Sequence, residues 1–545
     1  MSYEFLGKKI SGRFTIPSGI ITTDINIIKK IISEIPEIGV ITTKSIGPEP
    51  KTGNCEPIIT QYAPGCFMNA VGLTNPGAKK FSEQLKELKV PSDKFLLTSI
   101  FGSTAAEFVE VAKLVAPYSD GLELNLSCPH AKGYGMAIGQ KPELVKEFCA
   151  AVKEVVDIPI IAKLTPNTPD IGLIAKAAVE GGADGICAIN TVGPGLHTVE
   201  GNPVLTNKLG GMSGKGILPI GIKCVKQIKD AIDIPVIACG GISNIYDVIA
   251  YKNAGANIFG VGSALAGLKS ENLQSYFKAL GSEFKEYSET NSVLSKSEEY
   301  LKKIDMSFEK YTLLENQKIA DDFSVLVFDK NIDIKAGQFV FVWIPGLGEK
   351  PFSILDNEPL KLGIQGVGCF TKALIALKEG SHVYFRGPYG QPVILDNKKH
   401  TFTISGGCGF AANYLISKEN KNVECFIGSK DKEHLFCVKE AQKYGKTNVS
   451  TDDGSYGFHG FVTQLMKERL EEIKKEDDKE MVFYNCGPKP MIKAATKIQL
   501  EFTKPENIFN SIDHITKCGV GLCGSCATKN GERSCIDGPF IQEKE

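Results

Sequence analysis

The sequence has little of what would tie it to a membrane or to nucleic acid. It contains no run of about 18 apolar residues that could span a bilayer. Its N-terminus, MSYEFLGKKISGRF, lacks the apolar core of a signal peptide. The 62 basic and 63 acidic residues nearly cancel, and no long basic run or basic-aromatic interleaving would follow a phosphate backbone. These absences predict a cytoplasmic protein with neither a membrane nor a nucleic acid as partner.

The length and the cysteine usage predict a large enzyme of several domains. The chain has 545 residues, of which 42% are hydrophobic, whereas an average domain has about 150 residues. We therefore expect two to four domains with separate cores. Sixteen cysteines are scattered along the chain, which is typical of reduced thiols with a few functional members and not of a disulfide framework.

Four cysteines near the C-terminus stand in a recognisable pattern, CGVGLCGSCATKNGERSC. The spacing C-x4-C-x2-C…C binds a 2Fe-2S cluster through four thiolates, and the cysteines that show it are Cys518, Cys523, Cys526 and Cys535. Interleaved glycines let the backbone curl close to the cluster. A structural zinc site is the alternative, but it usually takes paired C-x2-C knuckles that are well separated in sequence. The pattern predicts an electron-transfer protein.

The first 265 residues alternate short apolar runs with longer helical patterns. Eight such runs are present, near 14–18, 40–44, 95–100, 121–127, 159–164, 185–190, 235–239 and 257–262. Eight strands with intervening helices predict an α/β fold, the (β/α)8 TIM barrel, whose chemistry lies at the C-terminal ends of the strands. Polar or glycine residues stand at each predicted strand end, for example Lys44, Ser99, Lys163 and Gly240.

After the predicted barrel, the residue composition and the predicted secondary structure divide the chain into further segments. Polar and charged residues precede residue 306, after which short segments with glycine turns predict an antiparallel β-barrel, and strand-helix alternation then predicts an α/β nucleotide domain. The predicted domain limits are 1–285 for the TIM barrel, 286–306 for a linker, 307–398 for the β-barrel, 399–504 for the nucleotide domain and 505–545 for the cluster segment.

The segment ELNLSCPH places Cys128 on the loop after a predicted strand, close to Asn125. An isolated Cys-Pro pair is more often structural, but a thiol in this position could act as a general base. A free thiol has a pKa of about 8.5, so the site must lower it or tolerate a small thiolate fraction. Lys44 and Lys163, with nearby asparagines, provide donors for a flavin and a carbonyl-rich substrate. Glycines after the last two strands fit a phosphate site, which favours FMN.

The motifs ITTKS, MNAVGLTNPG, ELNLSCPH, AKLTPN, INTV, KLGGMSG, ACGGIS and GVGSAL resemble the catalytic subunit of class 1 dihydroorotate dehydrogenases. The motifs KPFSI, GPYG, ISGGCGF, TDDGSYGFHGFVT and CGPKPM, with the four-cysteine loop, resemble the FAD and iron-sulfur electron-transfer subunit of class 1B. These are normally two polypeptides, so the chain resembles a fusion of both. The resemblance implies a ferredoxin-reductase-like module after the TIM barrel.

The resemblance also implies roles for individual residues. Cys128 would take the proton from C5 of dihydroorotate while C6 gives hydride to FMN, and electrons would then pass through the cluster and FAD to NAD. The substrate would be held by Lys44, Asn69, Gly72, Leu73, Asn125, His130, Asn190 and Thr191. FMN would be held by Ser18, Lys44, Ser45, Asn125, Lys163, Gly214, Gly240, Gly241, Gly262 and Ser263.

For the second flavin, the sequence Lys350, Pro351, Phe352 and Ser353 stands where the family carries Arg-Pro-x-Ser, so the charge is kept but the bidentate fork is lost. The remaining FAD residues implied by the resemblance are Gly366, Gly368, Thr371, Gly387 and Gly390. NAD would contact Gly406, Gly407, Gly409, Cys486 and Gly487. No arginine cluster follows VECFIGS to bind a 2′-phosphate, which favours NAD over NADP.

One departure leaves the substrate open. His130 stands where most dihydroorotate dehydrogenases have an asparagine that bonds orotate, and the loop from Ser127 to Val145 also resembles that of dihydropyrimidine dehydrogenases. The alternatives to dihydroorotate are therefore uracil or thymine chemistry, or another flavin-dependent ene-reductase that uses NAD(P)H. The resemblance further implies a homodimer through the barrel and leaves the physiological direction of the reaction open.

Overall fold

A computed structural model describes residues 3–127, 136–396, 398–420, 422–476, 479–512 and 515–544. Contacts between residues divide the chain into two units. The first unit comprises Met1–Met306 and Val520–Arg533, and the second comprises Ser307–Gly519 and Ser534–Glu545. Among the helices of the described residues, none is both long and apolar enough to cross a membrane.

The first unit is built on eight parallel strands in one sheet. Each strand pairs with its sequence neighbours, and the amide of Phe14 donates to the carbonyl of Glu37 at 3.3 Å across the remaining seam. The strands are Phe14–Thr15, Val40–Thr42, Phe95–Ile100, Gly121–Asn125, Ile160–Lys163, Gly185–Ala188, Val236–Cys239 and Ile258–Gly260. All eight lie within the predicted apolar runs, so the predicted TIM barrel is confirmed.

Helices alternate with these strands because the sequence supplies both an apolar stripe and a capping side chain. Asp24, Thr104, Asp170 and Asn244 each accept a hydrogen bond from a backbone amide in the first turn of the helix that follows. The longer helices of the unit are Ile25–Glu34, Ala78–Lys86, Ala105–Val115, Pro142–Lys153, Ile171–Glu180, Leu218–Ala231, Ile245–Asn253 and Ser270–Thr290.

A second, antiparallel sheet was not predicted from the sequence. Its four strands, in spatial order, are Val192–Leu196, Leu209–Gly214, Cys66–Asn69 and Ile59–Ala63. They belong to the long connections after the second and the sixth barrel strands. The two strands after the sixth barrel strand are rich in glycine, and all four are short, so they give little periodic signal. This sheet carries Asn69 and Gly214. Two short hairpins, Tyr3–Phe5 with Lys8–Ile10 and Thr198–Val199 with Asn202–Pro203, complete the strands of the unit.

The second unit contains the two predicted sheets. The antiparallel sheet has the strands Glu309–Ala320, Phe323–Phe328, Phe339–Ile344, Gly348–Ser353, Asp356–Asn357, Leu360–Gln365 and His382–Tyr389. The other sheet is parallel except at one edge and has the strands His400–Gly406, Val423–Ser429, Lys446–Thr451, Phe458–His459, Met481–Cys486, Ile508–Ser511 and Ile541–Gln542. Its helices are Phe410–Glu419, Val438–Tyr444, Val462–Glu476 and Lys489–Gln499. The ferredoxin-reductase-like fold predicted for this half of the chain is confirmed.

Candidate active site

A cavity of about 190 Å³ lies at the C-terminal ends of the barrel strands. Its wall contains every residue predicted for the barrel site that the structure describes. These are Ser18, Lys44, Ser45, Asn69, Gly72, Leu73, Asn125, Lys163, Asn190, Thr191, Gly214, Gly240, Gly241, Gly262 and Ser263. Cys128 and His130 lie outside the described residues.

A chain of hydroxyl groups links neighbouring strand ends under this cavity. The Oγ atoms of Ser18 and Ser45 are 2.9 Å apart, and those of Ser45 and Ser99 are 2.8 Å apart. Ser99 donates onward to Glu123 Oε1 at 2.8 Å, and Asn125 Nδ2 donates to Ser45 Oγ at 2.9 Å. Each side chain is thereby held in one orientation, because buried polar atoms are costly unless they are paired.

A second branch reaches the residue that precedes Cys128. Ser127 Oγ donates to Asn125 Oδ1 at 3.1 Å, and Asn190 Nδ2 donates to Ser127 Oγ at 2.8 Å. The Oδ1 atom of Asn190 in turn accepts the amide of Thr191 at 2.8 Å. Ser127 is fully buried. The chain is therefore fixed at the cavity up to the position immediately before Cys128.

A buried ion pair lies beneath the cavity. Lys163 Nζ is 3.3 Å from Glu123 Oε1, and the two side chains are 5% and 1% exposed. Burial opposes the charge of Lys163, but the Glu123 carboxylate raises the pKa of Lys163 above its usual value. Lys163 consequently presents a permanent positive charge to the cavity at neutral pH.

The glycines of the cavity allow backbone conformations and close backbone packing that a side chain would prevent. Gly214, Gly240 and Gly241 have φ values of +96°, +123° and +77°, which side chains rarely adopt. A Cβ on Gly241 would lie 3.0 Å from the carbonyl oxygen of Gly214, and one on Gly19 would lie 3.2 Å from Lys44 Nζ. A cradle of bare backbone with lysine ammonium groups on its wall fits a phosphate-bearing flavin such as FMN.

Several cavity residues escaped the sequence analysis. The apolar wall includes Pro17, Ile20, Ile58 and Ile217, which look like any other core residue in the sequence. Leu522 also reaches the cavity, together with the predicted cluster ligand Cys523, from a segment far along the chain. No local pattern in the sequence could have shown this.

Two hydrogen bonds hold the segment that contains Leu522 and Cys523 against the barrel. The amide of Ile21 donates to the carbonyl of Leu522 at 2.6 Å, and Thr23 Oγ1 donates to the carbonyl of Cys523 at 2.8 Å. A Cβ on Gly524 would lie 2.4 Å from the carbonyl oxygen of Ile21. The backbone of the segment therefore packs directly against the loop after the first barrel strand. The four predicted cluster ligands, Cys518, Cys523, Cys526 and Cys535, are all buried.

The second unit has a cavity of about 610 Å³ where its two sheets meet. The predicted residues on its wall are Pro351, Phe352, Ser353, Gly406, Gly407, Gly409, Cys486 and Gly487. The other predicted residues, Lys350, Gly366, Gly368, Thr371, Gly387 and Gly390, are not on this wall. Thr371 Oγ1 accepts the amides of Val367 and Gly368, both at 3.0 Å, so it caps the helix Cys369–Ile375.

A further cavity of the second unit, of about 520 Å³, shares Gln365, Gly407 and Cys408 with the cavity of about 610 Å³. A Cβ on Gly409, which opens the helix Phe410–Glu419, would lie 2.2 Å from the carbonyl oxygen of Cys486. The turn after the strand His400–Gly406 therefore packs tightly against the end of the neighbouring strand. Two adjoining cavities at the carboxyl ends of parallel strands fit a flavin and a dinucleotide.

A hydrogen-bond chain begins at Cys408 and Gln365, which line both of these cavities. Cys408 Sγ is 3.6 Å from Gln365 Oε1, and Gln365 Nε2 donates to Asp322 Oδ2 at 2.9 Å. His434 then joins Asp322, at 3.0 Å from Nε2, to Asp431, at 2.6 Å from Nδ1. This chain connects the antiparallel sheet to the nucleotide-binding sheet, and no pattern in the sequence indicates it.

Comparisons with known proteins agree with this arrangement. The profile of the dihydroorotate dehydrogenase family matches residues 1–276. That of the oxidoreductase NAD-binding domain matches residues 404–497, and that of the iron-sulfur cluster binding domain of dihydroorotate dehydrogenase B matches residues 513–545.

Two similar proteins are named as catalytic subunits of dihydroorotate dehydrogenase B (NAD(+)). The protein from Methanosarcina mazei is 44% identical over 267 residues, which are 49% of this chain and 84% of that protein. The protein from Methanocaldococcus jannaschii is 46% identical over 231 residues, which are 42% of this chain and 75% of that protein. A solved structure of an NADH-dependent reduced ferredoxin-NADP oxidoreductase is 26% identical, with a TM-score of 0.39, over 43% of this chain and 87% of that one.

The barrel, its flavin-compatible cavity and the attached nucleotide and iron-sulfur modules define an iron-sulfur flavoprotein oxidoreductase. The chain belongs to the dihydroorotate dehydrogenase family. It carries in one polypeptide the barrel, the NAD-binding domain and the iron-sulfur domain, so the predicted fusion is confirmed. The predicted cofactor set of FMN, FAD, a 2Fe-2S cluster and NAD is confirmed by the same combination of domains.

The buried pair of Glu123 and Lys163 generates a stability prediction. Glu123→Gln leaves the Lys163 cation without its carboxylate, and breaking a buried pair in this way costs about 3–5 kcal/mol. Urea unfolding of flavin-free protein, followed by circular dichroism, should show this loss. The double variant with Lys163→Met should recover most of it, whereas Glu180→Gln in the exposed pair with Lys146 should cost about 1 kcal/mol or less. Equal losses for Glu123→Gln and Glu180→Gln would contradict the prediction.

The His434 bridge generates a pH prediction. Burial opposes protonation, but the hydrogen bonds to Asp431 and Asp322 raise the pKa of His434. The hydrogen bond with His434 lowers the pKa of Asp431, and hydrogen bonds from Gln365 and then from His434 lower the pKa of Asp322. The stabilisation from the histidine is therefore complete below its ordinary pKa of about 6.5 and is lost as the pH rises through the raised value. The stabilisation from the carboxylates is complete above about pH 4. The bridge should stabilise the second unit most between these limits.

The temperature at which FAD is released should therefore fall between pH 6 and pH 8.5 in the wild-type protein. His434→Gln should reduce that fall, while His459→Gln, at an exposed histidine of the same unit, should leave it unchanged. An undiminished fall in His434→Gln would show that other groups cause the pH dependence.

Proposed function

We propose that this chain oxidises dihydroorotate to orotate in the cavity of the barrel, with Cys128 as the general base and NAD+ as the final electron acceptor. The observation that carries the proposal is the convergence of Lys44, Asn69, Asn125 and Asn190 on one cavity. These side chains offer several hydrogen-bond donors to a planar ring that is rich in carbonyl groups. The names of the related catalytic subunits support the same substrate.

The residues of the chain have separable tasks in this proposal. Asn125 and Asn190 orient the substrate ring, since both are themselves oriented by Ser127. Cys128 follows Ser127 directly, and as general base it removes the proton from C5 of the substrate. Lys163 supplies fixed positive charge, which favours negative charge on a group bound beside it.

The cofactors would be held by the two sets of cavity residues. FMN would contact Ser18, Lys44, Lys163 and the bare glycines of the barrel, and FAD and NAD would occupy the adjoining cavities of the second unit. When bound, FMN would supply the acceptor for the two electrons of the substrate, and the 2Fe-2S cluster and FAD would supply the route from FMN to NAD+. The position of Leu522 and Cys523 on the wall of the barrel cavity supports this path.

The predicted domain limits, 1–285, 286–306, 307–398, 399–504 and 505–545, are part of the proposal. So are a homodimer formed through the barrel and a cytoplasmic location. Cross-linking and size measurement of the full chain would test the dimer.

His130 in place of the usual asparagine keeps a second candidate function in view, the oxidation of dihydrouracil or dihydrothymine. The deciding experiment mixes purified enzyme anaerobically with dihydroorotate and, separately, with dihydrouracil. Flavin and cluster absorbance is followed first, and NADH formation is followed after NAD+ is added. We expect bleaching and NADH with dihydroorotate only. Bleaching by dihydrouracil alone, or by neither compound, would refute dihydroorotate as the substrate.

The role of Cys128 is tested by Cys128→Ser. A hydroxyl group has a far higher pKa than a thiol, so it is a weaker base at neutral pH, and we expect dihydroorotate oxidation to slow by about 100-fold or more. Reduction of a dye by NADH uses the second unit and should stay within about twofold of wild type. A parallel loss of both activities would argue against Cys128 as the base.

A further inference from the structure

Arginine is scarce in this chain, and its placement is selective. The sequence contains four arginines, Arg13, Arg386, Arg469 and Arg533, among 62 basic residues. The side chains of Arg386 and Arg533 are fully buried, and both donate to backbone carbonyls of the cysteine-rich segment. In a chain that uses lysine almost everywhere, a buried arginine indicates a position where a planar guanidinium with several fixed donors is needed.

Arg386 lies on the strand His382–Tyr389 of the second unit and has two kinds of contact. Its Nε and Nη2 atoms donate to the two carboxylate oxygens of Glu349, at 2.6 and 2.8 Å, and neither side chain is exposed. The guanidinium carbon lies 4.0 Å from the ring centroid of Phe341. The bidentate pair and the stacked ring leave Arg386 no freedom to rotate.

The remaining nitrogen of Arg386 points at the cluster segment. Nη1 donates to the carbonyl oxygen of Cys518 at 3.1 Å and to Tyr389 Oη at 2.9 Å. Gly519, the next residue, has φ +78°, and a Cβ there would lie 2.7 Å from the Phe341 ring and 3.4 Å from Nη1. The backbone at Cys518 and Gly519 is therefore pressed against the guanidinium.

A buried ion pair contributes little net stability, because removing both charges from water costs about as much as their attraction returns. The specific consequence of this pair is the fixed donor that it aims at Cys518. We propose that Arg386, held by Glu349, is a positioning residue for Cys518 and that the pair sets the reduction potential of the 2Fe-2S cluster. This rests on the proposed function only in taking Cys518 as a cluster ligand.

The expected direction follows from charge. Hydrogen bonds, net charge and burial tune the potential of such clusters. Arg386→Met removes the cation and the donor and leaves the Glu349 carboxylate buried, which disfavours the added electron and should lower the potential. Arg386→Lys keeps the charge, but an ammonium group cannot reproduce the planar set of hydrogen bonds to Glu349, Tyr389 and Cys518. It should therefore change the potential less but leave Cys518 less firmly held.

The test titrates the cluster of the full-length holoenzyme by electron paramagnetic resonance during stepwise chemical reduction. For Arg386→Met we expect the reduction potential of the cluster to fall by at least about 59 mV, which is a tenfold shift of its one-electron equilibrium toward the oxidised form. For Arg386→Lys we expect a broadened signal with a smaller shift. The matched control is Arg469→Met, at a partly buried arginine of the same unit that bonds Glu424 and Glu472, and it should leave both properties unchanged.

Reduction of a dye by NADH shows whether each variant is folded, because Arg386 is not among the described residues that line the two cavities of the second unit. A folded Arg386→Met with the wild-type potential and line shape overturns the inference. If that variant does not retain its cluster, Arg386→Lys decides, and a wild-type signal there overturns the inference equally. Chemical reduction of the cluster needs no substrate. If the potential is shifted in Arg386→Met but the wild-type enzyme does not oxidise dihydroorotate, the proposed function is contradicted and the inference about Arg386 is not.

Discussion

The buried contact between Lys163 and Glu123 is the interaction on which the barrel site depends. It joins the ends of two adjacent strands, and through Ser99 and Ser45 it is continuous with the hydrogen bonds that hold Asn125. A carboxylate and an ammonium cannot be buried separately at tolerable cost. Because each needs the other, the fourth and fifth strands are held in a register that turns donors toward one cavity. The convergence of the site is in this sense a consequence of electrostatics as much as of topology.

The cysteine-rich segment shows a comparable constraint from backbone hydrogen bonding. Leu522 and Cys523 are held by Ile21 and Thr23 in the first unit, while Cys518 is held by Arg386 in the second. Polar backbone groups of a loop must find partners when the loop is buried. Here those partners come from parts of the chain that are hundreds of residues away. Within the first unit, the hydrogen bonds from Ile21 and Thr23 hold Leu522 and Cys523 on the wall of the barrel cavity.

Much of the fold could be predicted because its signals are local. Each barrel strand is a short apolar run, and once the barrel is recognised its topology brings the residues at the strand ends, such as Lys44 and Asn190, to one end of the barrel. The antiparallel strands Cys66–Asn69 and Leu209–Gly214 were missed, since their pairing is decided by closure over the barrel and not by periodicity. The chain from His434 through Asp322 to Gln365 and Cys408 was missed for a similar reason, because single polar residues on different elements carry no pattern.

The sequence by itself determined the order of the elements and the cysteine spacing that identifies the cluster segment, whereas the full set of barrel site residues was implied by the motifs that resemble the family. These depend on neighbours in the chain, on the period of two or 3.6 residues, and on thiolate spacing. Only the tertiary structure decided that Cys523 lines the barrel cavity, that Glu123 pairs with Lys163, and that Arg386 faces Cys518. Each of these is a contact between segments far apart in sequence, and which segments meet is decided by the packing of the whole chain.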